Sequence, residues 1–248
     1  MGIELHFFCK TLMLVYSKSS IDMEVIWGLA VLAIAPGIFW MYYFYQKDRC
    51  EPEPLSLIVE LFVLGILVTV PVAFTENLFG LFLPEILLVI LIAPVVEEFG
   101  KYFVVRRGVY HNREFNQPID GIIYATAAAL GFATLENVLY VFNSYTMSLP
   151  LAIGTSVIRA MLSVPGHALF SIMWGAALGI AKFSPPARRE QIILSGLFLA
   201  ILFHGIFNFL VMNSIGFAIL VLVVVPLMWW MVLQRIHTAM TLCGKREL

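Results

Sequence analysis

The amino-acid sequence predicts an all-α polytopic membrane protein with about seven transmembrane helices around a polar intramembrane cavity. The first observation is composition, since the 248 residues are 61% hydrophobic and 12% charged, whereas soluble domains are about 45–50% apolar and about 25% charged. The second is a series of apolar runs of roughly 20 residues, the length that crosses the hydrocarbon core of a bilayer. The third is that lysine and arginine occupy every second loop between these runs.

The predicted spans fill most of the chain and leave no soluble domain. They are residues 23–45, 55–76, 83–105, 119–142, 155–181, 191–212 and 215–236. We therefore expect a single transmembrane domain over residues 23–237 and a cytoplasmic tail over residues 238–248. Residues 1–22 fit no span, because their apolar stretch is short and is interrupted by Lys10. We expect them to lie in the membrane interface, or to precede a native start at Met23.

The positive charges predict the orientation of the spans. Lysine or arginine follows the first, third, fifth and seventh spans, and the other three loops contain neither residue. Positively charged loops remain in the cytoplasm. We therefore expect the first span to start outside the cell membrane and the C-terminus to lie in the cytoplasm. The net charge of −1 gives no indication of nucleic-acid binding.

The three cysteines are predicted to be incidental thiols. Cys9, Cys50 and Cys243 form no CxxC pair and lie outside the apolar runs. Their odd number and their spacing are unlike a disulfide framework or a cysteine zinc site. We therefore expect them to play no part in the functional site.

Ionisable residues inside the spans mark candidate functional positions, since a charge near the bilayer centre costs roughly 2.5–3.5 kcal/mol on insertion scales. Most of them occur in four short clusters on consecutive spans. The clusters are Glu97-Glu98-x-x-Lys101, Glu136-Asn137, Pro165-Gly166-His167 and His204-x-x-x-Asn208. With a rise of about 1.5 Å per residue, we expect the glutamates and histidines to lie within about 12 Å of one another along the membrane normal.

The first cluster places two carboxylates on neighbouring faces of one helix. Glu97 and Glu98 point about 100° apart, so one can face a cavity while the other contacts a neighbouring helix. Lys101 is four residues after Glu97 and can pair with it along one face of the helix. A side chain that extends toward the cytoplasm is the alternative interpretation of Lys101.

Two imidazoles and a carboxylate form a catalytic zinc site with an open fourth position. The predicted ligands are Glu136, His167 and His204, and the predicted catalytic residues are Glu97, Glu98, Lys101 and Asn208. One of the paired glutamates would act as the base toward water, and the lysine would tune that pair. The asparagine would donate a hydrogen bond to the developing oxyanion. This set predicts hydrolysis of an amide bond inside the membrane, whereas Arg159 has no role that the sequence reveals.

Other interpretations of the buried charges stay open at this point. The sequence contains no HExxH of site-2 proteases, no Gly-x-Ser-Gly of rhomboid-like proteases and no Gly-x-Gly-Asp of presenilin-like proteases. Buried acids and histidines also occur in small proton- or ion-coupled transporters. Helix faces rich in small residues also suit a catalytically silent scaffold that binds other membrane helices.

Taken in order, the clusters resemble the motifs of the PrsW family of intramembrane metalloproteases. The family pattern is EExxK, then FxxxE, then two separate histidine motifs on later spans. It corresponds here to Glu97-Glu98-x-x-Lys101, Phe132-x-x-x-Glu136, His167, and His204 with Asn208. The turn CEPEP at residues 50–54 also looks like the family, and the resemblance runs from about Met23 to His237.

The resemblance implies a function and a substrate class. It implies cleavage of a membrane-anchored protein, namely site-1 cleavage of a membrane-tethered anti-sigma factor in bacteria. The related CAAX-type prenyl proteases carry a histidine in place of Glu136, which favours the PrsW branch. By this resemblance, the water that attacks the peptide bond would be activated either by a zinc ion or by a glutamate without any metal.

Overall fold

A computed structural model describes residues 23–244, and all regular secondary structure in that range is helical. In chain order the helices are α1 (Met23–Tyr45), α2 (Leu55–Gly80), α3 (Glu85–Leu87, Leu88–Ile92 and Ala93–Gly108), α4 (Asp120–Met147), α5 (Leu149–Met161), α6 (Ser163–Lys182), α7 (Pro186–Leu210) and α8 (Ser214–Ile219, Leu220–Val224 and Val225–Gly244). The middle segments of α3 and α8 are π-helical turns within continuous helices. The predicted N-terminal segment, residues 1–22, lies outside the described residues.

Six helical stretches are long and apolar enough to cross a membrane, which confirms the predicted fold class. They are α1, α2, α4, α7, α8 and the stretch Leu149–Lys182 that α5 and α6 form together. The helix α3 also belongs to the bundle but carries too many charged residues to count by composition. Large apolar side chains such as Trp27, Phe82 and Leu222 cover the outside, each more than 60% exposed. Such a surface is stable in lipid and unstable in water.

The loops that carry the basic residues lie together at one end of the bundle, which we call the basic end. Lys182 at the end of α6 donates to the backbone carbonyl of Tyr110, which follows α3. Asn116 in the loop before α4 donates to Glu51 in the loop after α1. The helices therefore alternate in direction as the charge pattern predicts, although the compartment that each end faces stays a prediction.

Small residues allow the central helices to approach closely. The helices α4 and α6 form the centre of the bundle, and nearly all residues of α6 are buried. A Cβ atom on Gly121 of α4 would overlap the carbonyl oxygen of Gly175 on α6. On the other face of α4, a Cβ atom on Gly131 would overlap the carbonyl oxygen of Phe62 on α2. Close backbone contacts of this kind stabilise helix pairs in membranes, where no hydrophobic effect drives helices together.

Gly131→Ala is therefore expected to lower the free energy of unfolding by about 1–3 kcal/mol, because the added methyl group forces α2 and α4 apart. The measurement is the thermal unfolding midpoint of the purified protein in detergent. The matched control is Gly154→Ala on α5, where a Cβ atom meets nothing within 4 Å. The control should unfold at the wild-type midpoint or above, since alanine favours helix more than glycine. Equal midpoints for the two variants would contradict this account of the packing.

The predicted end of the fourth span at residue 142 and the predicted start of the fifth at residue 155 are wrong. The helix α4 continues to Met147, and only Ser148 separates it from α5, whose start Ser148 caps by accepting from the backbone N–H of Leu151. Pro150 lies in the first turn of α5, where proline is tolerated because that N–H has no helical partner. At the other end of the chain, α8 extends to Gly244 and includes part of the predicted tail.

The cysteine prediction is wrong for two of the three residues. Cys50 and Cys243 form a disulfide that connects the loop after α1 with the end of α8. The two cysteines are 193 residues apart in the chain, so their spacing carries no information about the pairing. Cys9 lies outside the described residues.

Candidate active site

The polar clusters of α3, α4, α6 and α7 meet in the middle of the bundle. Six side chains are each at most 6% exposed, namely Glu97, Glu98, Lys101, Glu136, His167 and His204. Asn208 lies one turn beyond His204 on α7 and is half-buried. Their meeting explains how so many charged groups exist inside an apolar bundle, since each of them finds a polar partner there.

The two adjacent glutamates of α3 face different surroundings, as the helical geometry predicts. Glu97 lines a cavity of about 450 Å³. Glu98 is completely buried against α6, where one carboxylate oxygen accepts from the hydroxyl of Ser171 at 2.8 Å and from the indole N–H of Trp174 at 3.0 Å. Glu98 is therefore held in a fixed position, whereas Glu97 is available to a molecule in the cavity.

Lys101 neutralises this pair from inside the bundle. Its ammonium donates to Glu98 at 2.8 Å and to Glu97 at 3.2 Å. It also lies 2.9 Å from Nδ1 of His167 and 4.3 Å from the ring centre of Phe132. The side chain is 0% exposed, so the alternative interpretation, in which it extends toward the cytoplasm, does not apply.

Each histidine presents one ring nitrogen to Glu97 and the other to a second carboxylate. Nε2 of His204 lies 3.8 Å from Oε2 of Glu97, and its Nδ1 lies 3.2 Å from Oε1 of Glu98. Nδ1 of His167 lies 3.6 Å from Oε2 of Glu97, and its Nε2 lies 2.8 Å from Oε2 of Glu136. A carboxylate on the outer nitrogen is the usual way in which proteins orient a metal-binding histidine.

The donor atoms of Glu97, His167 and His204 form the tightest group in the cavity and lie within 4.8 Å of one another. Two imidazoles and one carboxylate are donors that zinc prefers, so the residues present fit a catalytic metal ion. Glu136 contacts His167 from the other side. The sequence-based set, in which Glu136 is the third ligand, stays a prediction beside this group.

Arg159 acquires a position that the sequence did not reveal. The helix α5 runs back along α4 and brings the guanidinium to 2.6 Å from Glu136 and 3.0 Å from the side-chain oxygen of Asn137. The guanidinium also lies 4.1 Å from the ring centre of Tyr140. Arg159 therefore balances the charge of Glu136, as Lys101 balances that of the α3 pair. Its charge in an apolar segment was the only signal in the sequence.

Asn208 connects the site to the π-helical turn of α3. Its side-chain nitrogen donates to the backbone carbonyl of Val89 at 3.0 Å, within the turn Leu88–Ile92. Gly205, one turn earlier on α7, lies directly against the carbonyl of Ile90, where a Cβ atom would overlap it. The π turn therefore fixes α3 against α7 just before the glutamate pair.

The cavity extends from the buried cluster to the end of the bundle opposite the basic end. Its wall includes Glu85 at the start of α3 and Met212 between α7 and α8. Phe170 and Phe207 form apolar parts of the wall beside the histidines. A peptide segment from that end of the bundle can therefore reach Glu97 without crossing the whole bundle.

Comparisons with known proteins identify the family of this chain. The family model described as PrsW family intramembrane metalloprotease matches residues 53–231. The chain is similar to the Protease PrsW of Geobacillus kaustophilus, with 35% identity over 86% of this chain and 92% of the relative. The Protease PrsW of Clostridioides difficile is 34% identical over 82% of this chain and 87% of the relative. The Protease PrsW of Bacillus subtilis is 31% identical over 83% of this chain and 93% of the relative.

No solved structure matches the chain. The matched region nonetheless contains every residue of the buried cluster. The similarity to proteases favours peptide-bond hydrolysis over the transporter and scaffold interpretations. The chain belongs to the PrsW family of intramembrane metalloproteases and is a membrane-embedded peptide-bond hydrolase.

Proposed function

We propose that Glu97, His167 and His204 form the catalytic centre with which this protease hydrolyses a peptide bond of a membrane-anchored protein. The observation that carries the proposal is the grouping of their donor atoms within 4.8 Å on the wall of a cavity inside the bundle. A water molecule and a peptide carbonyl fit in that cavity beside the three side chains. The three residues are each at most 4% exposed, and burial of this kind strengthens electrostatic interactions.

Glu97, His167 and His204 would hold a zinc ion once the Lys101 ammonium leaves Nδ1 of His167, and Glu98 and Glu136 would orient the two imidazoles through their outer nitrogens. When bound, zinc would polarise the peptide carbonyl and make an attacking water more acidic. Glu136 lines the same cavity and is in place to accept a proton from that water. In the sequence-based assignment, Glu136 is the zinc ligand, and Glu97 or Glu98 is the base.

Two further residues complete the proposed mechanism. Asn208 lines the cavity, and its side-chain nitrogen carries a second hydrogen besides the one it donates to Val89. We assign this second hydrogen to the oxyanion that forms on the substrate carbonyl. Lys101 acts as a positioning residue, because it holds Glu97 and Glu98 through its ammonium at 3.2 and 2.8 Å.

The direction in which the cavity extends supports a substrate that is anchored in the membrane and cut near its outer surface. The basic end is the cytoplasmic end by the charge rule, so the cavity leads outward from the site. In that compartment Cys50 and Cys243 would be kept as thiols, so the disulfide belongs to the oxidised protein. On this proposal the protein resides in the cell membrane with its C-terminus in the cytoplasm. The family resemblance implies a membrane-tethered anti-sigma factor as the substrate, and cleavage on the outer side suits that role.

The proposal is tested with protein purified in detergent and reconstituted with a membrane-anchored peptide substrate. We expect about one zinc per chain by mass spectrometry, as for other catalytic zinc sites. His167→Ala and His204→Ala should each lose the zinc and the cleavage activity. A chelator should stop wild-type cleavage, and added zinc should restore it.

The control for this experiment is Glu190→Gln, since Glu190 is exposed and lies far along α7 from His204. It should keep both the zinc and the activity. Cleavage by wild-type protein that persists after complete removal of metal would contradict the zinc proposal. Zinc-dependent proton flux in liposomes without any cleavage would contradict the assignment of this site to proteolysis.

A further inference from the structure

A second group of buried carboxylates lies at the basic end, away from the catalytic centre. Asp48, Glu53 and Asp120 are 5%, 4% and 0% exposed, and one oxygen atom of each lies within 4.8 Å of the others. We call these three residues the acidic cluster. It contains no histidine and no thiol, so its donors are all oxygens. The protease mechanism uses none of them.

The acidic cluster joins three helices. Asp48 follows α1, Glu53 precedes α2 and Asp120 begins α4. The hydroxyl of Tyr45, at the end of α1, donates to the backbone carbonyl of Glu53 at 3.0 Å and fixes the loop that carries the first two residues. The three carboxylates are therefore held close together by the fold and do not separate into solvent.

The hydrogen bonds of the acidic cluster leave part of it unsatisfied. Oδ2 of Asp120 accepts from the backbone N–H groups of Asn116 and Gln117, at 2.7 and 2.6 Å. Oδ1 of Asp48 accepts from the backbone N–H of Cys50 at 3.1 Å. The hydroxyl of Tyr124 donates to Glu53. The other oxygen of each aspartate, Asp48 Oδ2 and Asp120 Oδ1, is buried and accepts from no N–H or hydroxyl group of the described residues, while the carboxyl groups of Glu53 and Asp120 lie within hydrogen-bonding reach of each other.

No lysine or arginine of residues 23–244 forms an ion pair with these three carboxylates. Burial, with Asp120 and Asp48 close by, raises the pKa of Glu53 to about 9. Burial also raises the pKa of Asp48. Three carboxylates without a positive partner are costly in such a place, and either a cation or shared protons must compensate them.

We propose that Asp48, Glu53 and Asp120 bind a divalent cation of the class that prefers oxygen ligands, such as Mg²⁺ or Mn²⁺. The two buried oxygens without donors supply the free lone pairs that a cation needs, and they belong to different segments of the chain. Carboxylate oxygens are the ligands that these ions select, whereas the histidines of the catalytic centre suit zinc. The cation fixes the basic ends of α1, α2 and α4 to one another.

The experiment counts bound Mn²⁺ by electron paramagnetic resonance, in full-length protein that has been stripped of metal in detergent. Asp120→Asn is expected to bind about one Mn²⁺ fewer than wild type, because one carboxylate ligand becomes a neutral amide. His204→Ala should keep that Mn²⁺, which separates the acidic cluster from the catalytic centre. Glu190→Gln should bind the wild-type number, since it removes an exposed acid.

Asp48→Asn serves as a second variant, in case Asp120→Asn fails to fold when its hydrogen bonds to the start of α4 change. The expected loss is the same single Mn²⁺. In addition, Mg²⁺ should raise the thermal unfolding midpoint of wild type and have no such effect on either variant. An equal number of bound Mn²⁺ ions in wild type and both variants would overturn the proposal and leave shared protons as the compensating charge.

Discussion

Glu97→Gln is expected to remove the zinc and to reduce peptide cleavage below detection, whereas Glu136→Gln keeps the zinc at saturating concentration. The reason is geometric, since Glu97 lies within 3.8 Å of both histidines and Glu136 contacts only one of them in the described residues. Loss of the proton-accepting carboxylate in Glu136→Gln should lower kcat by about 10²–10⁴-fold. Metal content by mass spectrometry and single-turnover cleavage rates measure the two effects.

Glu98→Gln is the matched comparison on the neighbouring position of α3. Glu98 does not line the cavity and acts on His204 from outside, so its loss should weaken zinc binding about 10–100-fold without abolishing activity at high zinc. If Glu97→Gln retains zinc while Glu136→Gln loses it, the sequence-based assignment is correct and Glu97 is the base. If Glu97→Gln cleaves at the wild-type rate, neither assignment survives.

Lys101→Met is expected to leave little or no folded protein. The ammonium is 0% exposed and its removal leaves the carboxylates of Glu97 and Glu98 without their positive partner. Removing one member of a buried ion pair costs about 3–5 kcal/mol, which is a large part of the stability of a typical protein. The measurement is the yield of monodisperse protein in detergent, together with its thermal unfolding midpoint.

The double variant Glu98→Gln with Lys101→Met distinguishes this charge effect from a general disturbance of packing. It removes one negative charge along with the positive one, so it should recover a substantial part of the stability. Arg113→Met, whose side chain is 93% exposed in the wild-type protein, is the control for loss of a basic residue and should unfold at the wild-type midpoint. A Lys101→Met variant that is as stable as wild type would contradict the account.

The fold class was predictable from the sequence because its signals are local. An apolar run indicates that its own residues lie in the bilayer, and the charges in a loop indicate the direction of the helices that the loop joins. The boundary between α4 and α5 was not predictable in this way. Ser148 alone separates α4 from α5, and a continuous apolar stretch does not show where a helix reverses direction.

The sequence was enough to predict the ionisable residues of the candidate site. Glutamates, histidines and Lys101 stand out in an apolar sequence because their insertion is costly. The neutral partners of Glu98 do not stand out in the sequence, because Ser171 and Trp174 are ordinary residues of an apolar helix. The choice of Glu97 over Glu98 as the cavity-facing residue also required the structure, because both are consistent with the helical period.

The acidic cluster and the disulfide could not be predicted from the sequence either, because each joins residues that are far apart in the chain. Asp48 and Asp120 lie at the ends of predicted spans, where a charged residue needs no explanation. Only the packing of α1 against α4 buries them together. Contacts between residues far apart in the chain leave no trace in a single sequence.

The π turn at Leu88–Ile92 has an evolutionary consequence. In this turn the N–H of Ala93 bonds to the carbonyl of Leu88, five residues back, so the helix contains one residue more than regular α-helical bonding requires. A one-codon deletion there would make the bond from Ala93 to Leu88 an ordinary α-helical bond, so the following segment, with both glutamates and Lys101, would keep nearly its present direction. The same deletion within the regular segment Ala93–Gly108, before the glutamates, would instead rotate them by about 100° toward other neighbours. Loss of one residue should therefore be tolerated far better in the π turn than in the helical segment that follows it.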